Sequence, residues 1–232
     1  MSAPGTQLSL VAGAPVPVKQ RSPLTHLLHA LNQPLTGLQC SLELAAAGPR
    51  SQDQYVRVLR DGLELTGRMR ILVEAIRELT DLQEESTPAG QTSLLNPILQ
   101  ESADSLVPMA EIKRVRLSLI SKNQLLVPGS VPRLQALTFR LLESVLSLTR
   151  ERGNLSIVAA PDSESMCLTL SWTTGPIPPH SPFSQAELGL LLAQAGWERL
   201  GADWKLTQAN DRSLCTICLP TAQPTLTSEE LK

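Results

Sequence analysis

LTHLLHALNQPLTGLQCSLELAAA, residues 24–47, is the most regular segment of the chain. Its apolar residues recur at alternating spacings of four and three, at Leu24, Leu28, Leu31, Leu35, Leu38, Leu42 and Ala45. This heptad seam is typical of a helix that packs in a bundle. Ser22 and Pro23 suit the cap and first turn of such a helix, and Gly48-Pro49 suits its end. Pro34 lies inside the segment and is expected to bend the helix.

A second long helix is predicted over Asp53 to Glu84. Its apolar face consists of Val56, Leu59, Leu63, Thr66, Met69, Val73, Ile76 and Leu79. The connection over residues 48–52 is short, so the two helices should be antiparallel neighbours. One such hairpin cannot close its own core, whereas two hairpins can do so as a four-helix bundle. We therefore expect a homodimer.

The rest of the chain predicts a second domain of the α+β class. Residues 1–20 and 221–232 are rich in small and polar residues and are predicted to be flexible tails. The hairpin domain is placed at 21–86, a linker at 86–92, and a two-layer α/β sandwich at 92–220. Helices are predicted at 94–109, 132–149 and 185–200, with antiparallel-type strands at 115–120, 155–159, 166–172, 204–208 and 213–219.

Composition excludes several classes of function. The net charge is −2 and no basic stripe is present, so no nucleic-acid partner is expected. No apolar run approaches the ~18 residues that a membrane span requires. The N-terminus lacks the basic and apolar regions of a secretory signal, and we expect a cytoplasmic protein without a membrane partner.

The cysteines are expected to be structural. Cys215 and Cys218 form a C-x-x-C pair, but it lies in a predicted strand, where positions three apart point to opposite faces. No second pair stands at metal-ligand spacing. We therefore interpret these residues as buried, reduced cysteines and not as a redox or zinc motif.

The segment HALNQPLT, residues 29–36, resembles the phosphoacceptor box of sensor histidine kinases. In that family the box lies on the first helix of a dimerisation hairpin, which is also its position here. Later segments resemble the family's ATP-binding domain in the same order. They are LLNPIL (94–99), RLQAL (133–137) and the helix after it, LGLLLA (188–193), and LGA (200–202) with the two strands that follow.

The nucleotide-binding residues of the family do not carry over. Ser144, beside Glu143, stands where the resemblance implies a magnesium-binding asparagine. The stretch around Gly175 has no aspartate to bind adenine, since none occurs between Asp162 and Asp203. The second glycine box keeps only Gly189, and Glu187 occupies the position of the other glycine, where a carboxylate would repel phosphates. The segment between the boxes is also too short for a full lid over ATP.

The resemblance thus implies two-component signalling in which His29 is the phosphoacceptor, assisted by Asn32 and Gln33. No tightly bound cofactor is expected, ATP is not expected to be used, and magnesium would come with a partner receiver domain. Ala30 replaces the acidic residue that usually follows the histidine in active kinases. The predicted function is a histidine phosphotransferase. The alternatives are a non-catalytic pseudokinase that binds a histidine kinase or receiver, and an active kinase with unusual ATP contacts.

Other interpretations of these residues stay open. His29 could be an ordinary surface residue of a bundle helix, as His26 is taken to be. The two histidines are three residues apart with no carboxylate nearby, so no metal site is predicted. The second helix carries four arginines, Arg57, Arg60, Arg68 and Arg70. They either form a docking face for an acidic receiver or are a solvated helix face, and the solvated face is favoured.

Overall fold

The structure, a computed structural model, describes residues 23–84, 91–121, 124–162, 165–175, 184–209 and 211–220. The predicted tails, most of the predicted linker and the cap residue Ser22 lie outside the described residues. Nothing in these ranges therefore tests the predicted ends of the two domains.

Helices α1 (Pro23–Ala46) and α2 (Gln52–Glu84) form the expected hairpin. Gly37 of α1 faces Leu65 of α2, and Gly62 of α2 faces Leu38 of α1, which shows that the helices run antiparallel. α1 continues through Pro34 as one helix. No helix in the described part of the chain is both long and apolar enough to cross a membrane.

The heptad seam of α1 divides into two sets of residues. Leu24, Leu31 and Leu38 are half-buried, and Leu38 packs against α2. Leu28, Leu35 and Leu42, each seven residues from the next, remain 47, 50 and 49% exposed. The seam therefore has one edge inside the hairpin and one edge uncovered in the single chain.

The second part of the chain contains the predicted helices and strands, with two additions. Its elements are β1 (Thr92–Leu94), α3 (Leu95–Lys113), β2 (Arg116–Ser121), β3 (Leu126–Pro128), α4 (Val131–Leu148), β4 (Asn154–Asp162), β5 (Ser165–Thr173), α5 (Gln185–Arg199), β6 (Asp203–Ala209) and β7 (Arg212–Pro220). β1 and β3, which pair with each other, were not predicted.

The five longer strands form a mixed sheet in the order β2-β4-β5-β7-β6. Three of its pairings are antiparallel as predicted, but β2 pairs with β4 in parallel, so the antiparallel prediction was wrong for that pair. The physical reason is the connection, because α4 crosses between the two strands and returns the chain to the same end of the sheet.

The main core lies between this sheet and helices α3, α4 and α5. Buried and half-buried residues alternate along β4, β5 and β7, so one face of the sheet packs against the helices and the other stays partly open. α4 supplies the largest apolar face, with Leu134, Leu141 and Val145 fully buried. Trp197 of α5 is also fully buried.

Two glycines of α5 allow its backbone to approach α4 closely. Gly189 stands against Ser144, and Gly196 stands against Leu137; a side-chain carbon at either glycine would overlap the facing side chain. The two contacts are seven residues apart on both helices and in opposite chain directions. α4 and α5 are therefore antiparallel, and both glycines lie where the two helices approach closely.

The Gly196→Ala variant is expected to be less stable than the natural protein by about 2 kcal/mol, because the added methyl group overpacks the contact with Leu137. This corresponds to a fall in Tm of about 4–8 °C. Gly67→Ala is the matched control, since Gly67 is also helical but has no atom within 4 Å of that position. It should gain about 0.5–1 kcal/mol from helix propensity. Equal thermal stability of the two variants would contradict the assigned packing.

The cysteines differ in part from the prediction. Cys215 is free and buried, and burial raises the pKa of its thiol to about 12. Cys218 points to the opposite face, as expected, but it is joined to Cys167 by a disulfide, so its assignment as a reduced cysteine was wrong. The register of β5 and β7 is the cause, because it sets these two residues directly opposite each other.

Candidate functional site

His29 lies on the exposed surface of α1. Asn32 and Gln33 follow it at helical spacings of three and four residues, so all three side chains share one face. Both of these residues are exposed, and Thr36, one turn further on, donates a hydrogen bond from Oγ1 to the Asn32 carbonyl at 2.9 Å. The structure thus brings together the three residues that the resemblance assigns to the phosphoacceptor site.

The opposite side of α1 is held by a second apolar core, which we name the hairpin–sandwich core. It joins α1, α2 and α5 and consists of Leu27, Ala30, Leu72, Ala75, Leu79, Leu188 and Leu192. Leu27 is completely buried, although it lies outside the heptad seam. This contact fixes the rotation of α1 and thereby keeps the face of His29 outward.

The hairpin–sandwich core was not predicted, but the sequence contains a signal for it. The segment LGLLLAQAGW, residues 188–197, is apolar almost all round, and a helix of that kind is buried on more than one side. The structure accounts for both sides, since Leu190, Ala193 and Trp197 belong to the main core and Leu188 and Leu192 contact the hairpin.

An ion pair lies at the same junction. Arg140 of α4 donates to the carboxylate of Glu78 of α2. Both side chains are about a third exposed, and a pair in such a position contributes at most ~1 kcal/mol. The stability of the junction therefore depends mainly on the hairpin–sandwich core, and the ion pair helps to orient α2 relative to α4.

A cleft of about 590 Å³ opens between α2, α4 and the start of α5. It brings together Glu143, Ser144 and Gly189, three of the four residues predicted for a degenerate nucleotide site. Gly175, the fourth, follows the end of β5 and is not among the described residues that line the cleft. His29, Asn32 and Gln33 do not line it either.

The cleft has an acidic lining. Its ionisable side chains in the described part of the chain are Glu74, Glu78, Glu143 and Arg140. Three carboxylates against one guanidinium leave a net negative charge, and Arg140 is already paired with Glu78. Such a lining disfavours polyanions.

The N-terminus of α5 carries its own cap. Ser184 Oγ accepts from the Glu187 amide at 3.2 Å, and a Glu187 carboxylate oxygen accepts from the Ser184 amide at 2.7 Å. This is a capping box, in which side chains satisfy amides that could otherwise bind a phosphate. This cap was not predicted, although a serine and a glutamate three residues apart are visible in the sequence; only repulsion of phosphates was expected from Glu187.

Comparison with solved structures identifies the fold. The histidine kinase AdeS of Acinetobacter baumannii is 17% identical, with a TM-score of 0.54 over 84% of this chain and 98% of that one. Full-length ShkA in complex with AMPPNP is 14% identical, with a TM-score of 0.53 over 86% of this chain and 46% of ShkA. The cytoplasmic segment of the histidine kinase QseC is 12% identical, with a TM-score of 0.50 over 66% of this chain and 95% of that segment.

Comparison of sequences gives no further assignment. No protein-family model matches the chain, and no curated protein matches it. Solved structures that are 12 to 17% identical establish the fold of this chain but not its activity, which has to be inferred from its own residues. The chain therefore has the α+β fold of the sensor histidine kinases, a helical hairpin followed by a mixed α/β domain.

Proposed function

We propose that this chain is a two-component signalling protein that accepts a phosphoryl group at His29 from a response-regulator receiver domain and passes it to another receiver. The observation that supports the proposal most directly is the outward position of His29, with Asn32 and Gln33 beside it, on the first helix of a hairpin. A receiver can approach this face because it is uncovered in the single chain.

The chemistry requires little from the chain beyond a positioned imidazole. A neutral imidazole is a competent nucleophile toward phosphorus near neutral pH. One ring nitrogen forms a bond to phosphorus as the phosphorus–oxygen bond of the receiver's aspartyl phosphate breaks. The aspartate leaves as a carboxylate, and the phosphorylated ring can release its N–H proton to solvent. Magnesium held by the receiver would neutralise charge on the phosphoryl oxygens.

Asn32 and Gln33 are proposed to orient the incoming group. Their side-chain amides can donate hydrogen bonds to phosphoryl oxygens without adding charge. Both lie within one turn of His29 on the same exposed face. This is a positioning role, and the nucleophile is His29.

Three features support a function without ATP. Two of the amides at the start of α5, those of Ser184 and Glu187, are occupied by the capping box. Gly189 faces the Ser144 hydroxyl, so the absence of a side chain at this position is used in helix packing. The cleft beside these residues is lined mainly by carboxylates. The residues present therefore do not fit a magnesium nucleotide, and we assign no step to one.

The uncovered edge of the hairpin supports homodimerisation. On α2, Val56, Leu59, Leu63 and Val73 are exposed and continue the spacing of a heptad seam, as Leu28, Leu35 and Leu42 do on α1. Large exposed apolar residues in such a stripe mark an interface. We propose that a second copy covers both stripes and completes a four-helix bundle.

The experiment that tests this function is phosphoryl transfer to the purified chain. The chain is mixed with receivers from the same genome that have been labelled by a small phosphodonor, and in parallel with ATP and magnesium alone. We expect label in an acid-labile, base-stable form in the first mixture and none in the second. Mass spectrometry at neutral pH should place the phosphate on the peptide that contains His29.

Other outcomes select the alternatives. Labelling from ATP and magnesium in the absence of a partner would replace the proposal with an active kinase. No labelling from any receiver would exclude phosphotransfer; tight binding of a kinase or receiver without labelling would then favour the pseudokinase function.

A further inference from the structure

We propose that Cys167 and Cys218 form a reversible redox modification site, which reacts with small thiols and disulfides and controls the stability of the α5 segment. Neither residue takes part in the proposed phosphotransfer, so the two proposals stand independently. The inference rests on the position of the pair in the sheet and on the part of the chain that the pair encloses.

The geometry of the pair favours rapid closure. β5 and β7 are neighbouring antiparallel strands, and their register places Cys167 directly opposite Cys218. The two Cα atoms are 4.2 Å apart, and the sulfur atoms are bonded. Because the hydrogen-bonded ladder on both sides holds the strands together, reduction would leave the two thiols adjacent, ready to be reoxidised.

The pair is accessible to small reagents. Both cysteines are half-buried and lie on the open face of the sheet, whereas their neighbours Met166 and Leu219 point into the core. Ser165, Thr169 and Thr216 are the small polar neighbours on that face. Two carboxylates lie there as well, since Asp162 is 4.0 Å from Cys167 Sγ and Asp203 pairs with Cys218. A small thiol can therefore reach the disulfide without unfolding of the sheet.

The disulfide encloses the helix that contacts the hairpin. The two cysteines are separated by 51 residues, and this loop contains α5 and β6. Leu188 and Leu192 of α5 supply the sandwich side of the hairpin–sandwich core. Closure of the loop restricts the unfolded chain, so the oxidised form should hold α5 and its contact with the hairpin more firmly than the reduced form.

The reaction balances as thiol–disulfide exchange. A thiolate of a dithiol reductant attacks one sulfur, which forms a mixed disulfide and releases the other cysteine as a thiolate that takes a proton from solvent. The second thiol of the reductant then displaces the remaining cysteine, and the reductant leaves as a cyclic disulfide. A small disulfide such as oxidised glutathione reverses the reaction and is itself reduced to two thiols.

The remaining two cysteines differ from each other in accessibility. Cys215 is fully buried on the opposite face of β7, and its raised pKa keeps it a thiol, which is a poor nucleophile. Cys40 is exposed on α1, outside the sandwich. The two therefore serve as internal references for a buried and an accessible thiol.

The test combines a thiol count with thermal stability of the whole chain. After treatment with oxidised glutathione, alkylation in denaturant should modify Cys215 but neither Cys167 nor Cys218, and mass spectrometry should find the Cys167–Cys218 linked peptide. The exposed Cys40 exchanges with the reagent to form a glutathione mixed disulfide, which is identified on its own peptide. After treatment of the native protein with dithiothreitol, all four cysteines should be modified. We expect Tm to fall by about 10 °C on reduction and to recover on reoxidation.

Two variants provide controls. Cys167→Ser should have the lower Tm under both conditions and lose the redox response, whereas Cys40→Ser should keep the full response. Hydrogen exchange in α5 and β6 should become faster on reduction and slow again on reoxidation. The proposal is overturned if Cys167 and Cys218 are alkylated after oxidation, if the native disulfide resists dithiothreitol, or if reduced and oxidised proteins have the same Tm and the same exchange in α5.

Discussion

Replacement of His29 by alanine is expected to abolish transfer of a phosphoryl group to this chain, with no label above background from any receiver. Methyl side chains offer no nucleophile, and the neighbouring Asn32 and Gln33 carry only amides, which cannot replace an imidazole. The fold should be unchanged, because His29 is exposed and packs into neither core. Quantitative autoradiography of receiver mixtures measures the loss directly.

His26→Ala is the matched control for this experiment. His26 is also exposed on α1, one turn before His29, and lies outside the segment that resembles a phosphoacceptor box. The His26→Ala variant should be labelled at the same rate as the natural chain. Retention of label in His29→Ala together with its loss in His26→Ala would move the nucleophile to His26, and retention in both variants would show that neither histidine is the acceptor.

The Leu35→Asp variant is expected to be monomeric at concentrations where the natural chain is dimeric. Leu35 is half exposed in the single chain and lies in the middle of the uncovered edge of α1. A dimer would bury the exposed half of this side chain in each of two copies, which together contributes about 1.5–3 kcal/mol. An unpaired carboxylate there loses this energy and adds a desolvation cost in each copy, so the dissociation constant should rise by about 1,000-fold. Sedimentation equilibrium over a range of concentrations measures the change.

Ile112→Asp provides the control for charge on an exposed apolar side chain. Ile112 is 81% exposed, on α3 and far along the chain from the hairpin. This variant should dimerise as the natural chain does. A natural chain that remains monomeric at high concentration, or a Leu35→Asp variant that dimerises normally, would contradict the four-helix bundle.

Local patterns were enough to predict most of the fold. The hairpin follows from a heptad seam and from the turn at Gly48-Pro49, and each signal lies within a few residues of the structure that it specifies. The five longer strands follow in the same way from alternation of apolar residues. β1 and β3 were missed because three residues are too few to show alternation.

Features that depend on distant parts of the chain were not predicted. The parallel pairing of β2 and β4 follows from the crossover through α4, and strand alternation by itself does not report direction. The disulfide follows from the register of β5 against β7. The hairpin–sandwich core joins residues more than a hundred positions apart, and only the all-round apolar character of α5 indicated it.

At the candidate site, too, some features were predicted from the sequence and others were not. The resemblance indicated that Glu143, Ser144 and Gly189 belong together, and they do line one cleft. The resemblance did not indicate that the Glu187 side chain would accept a hydrogen bond from the Ser184 amide. That contact follows from the capping box, which is a local pattern separate from the family motif. The roles of His29, Asn32 and Gln33 stay predictions that phosphotransfer experiments must test.

The hairpin–sandwich core has a mechanical consequence. Rotation of the sandwich away from the hairpin would expose Leu27, Leu79, Leu188 and Leu192 to water. Even partial exposure of four leucines costs several times the thermal energy, since a fully buried one contributes about 1.5–3 kcal/mol. The hairpin and the sandwich should therefore tumble as a single block, and α1 should present His29 to a partner in a fixed orientation relative to the sandwich.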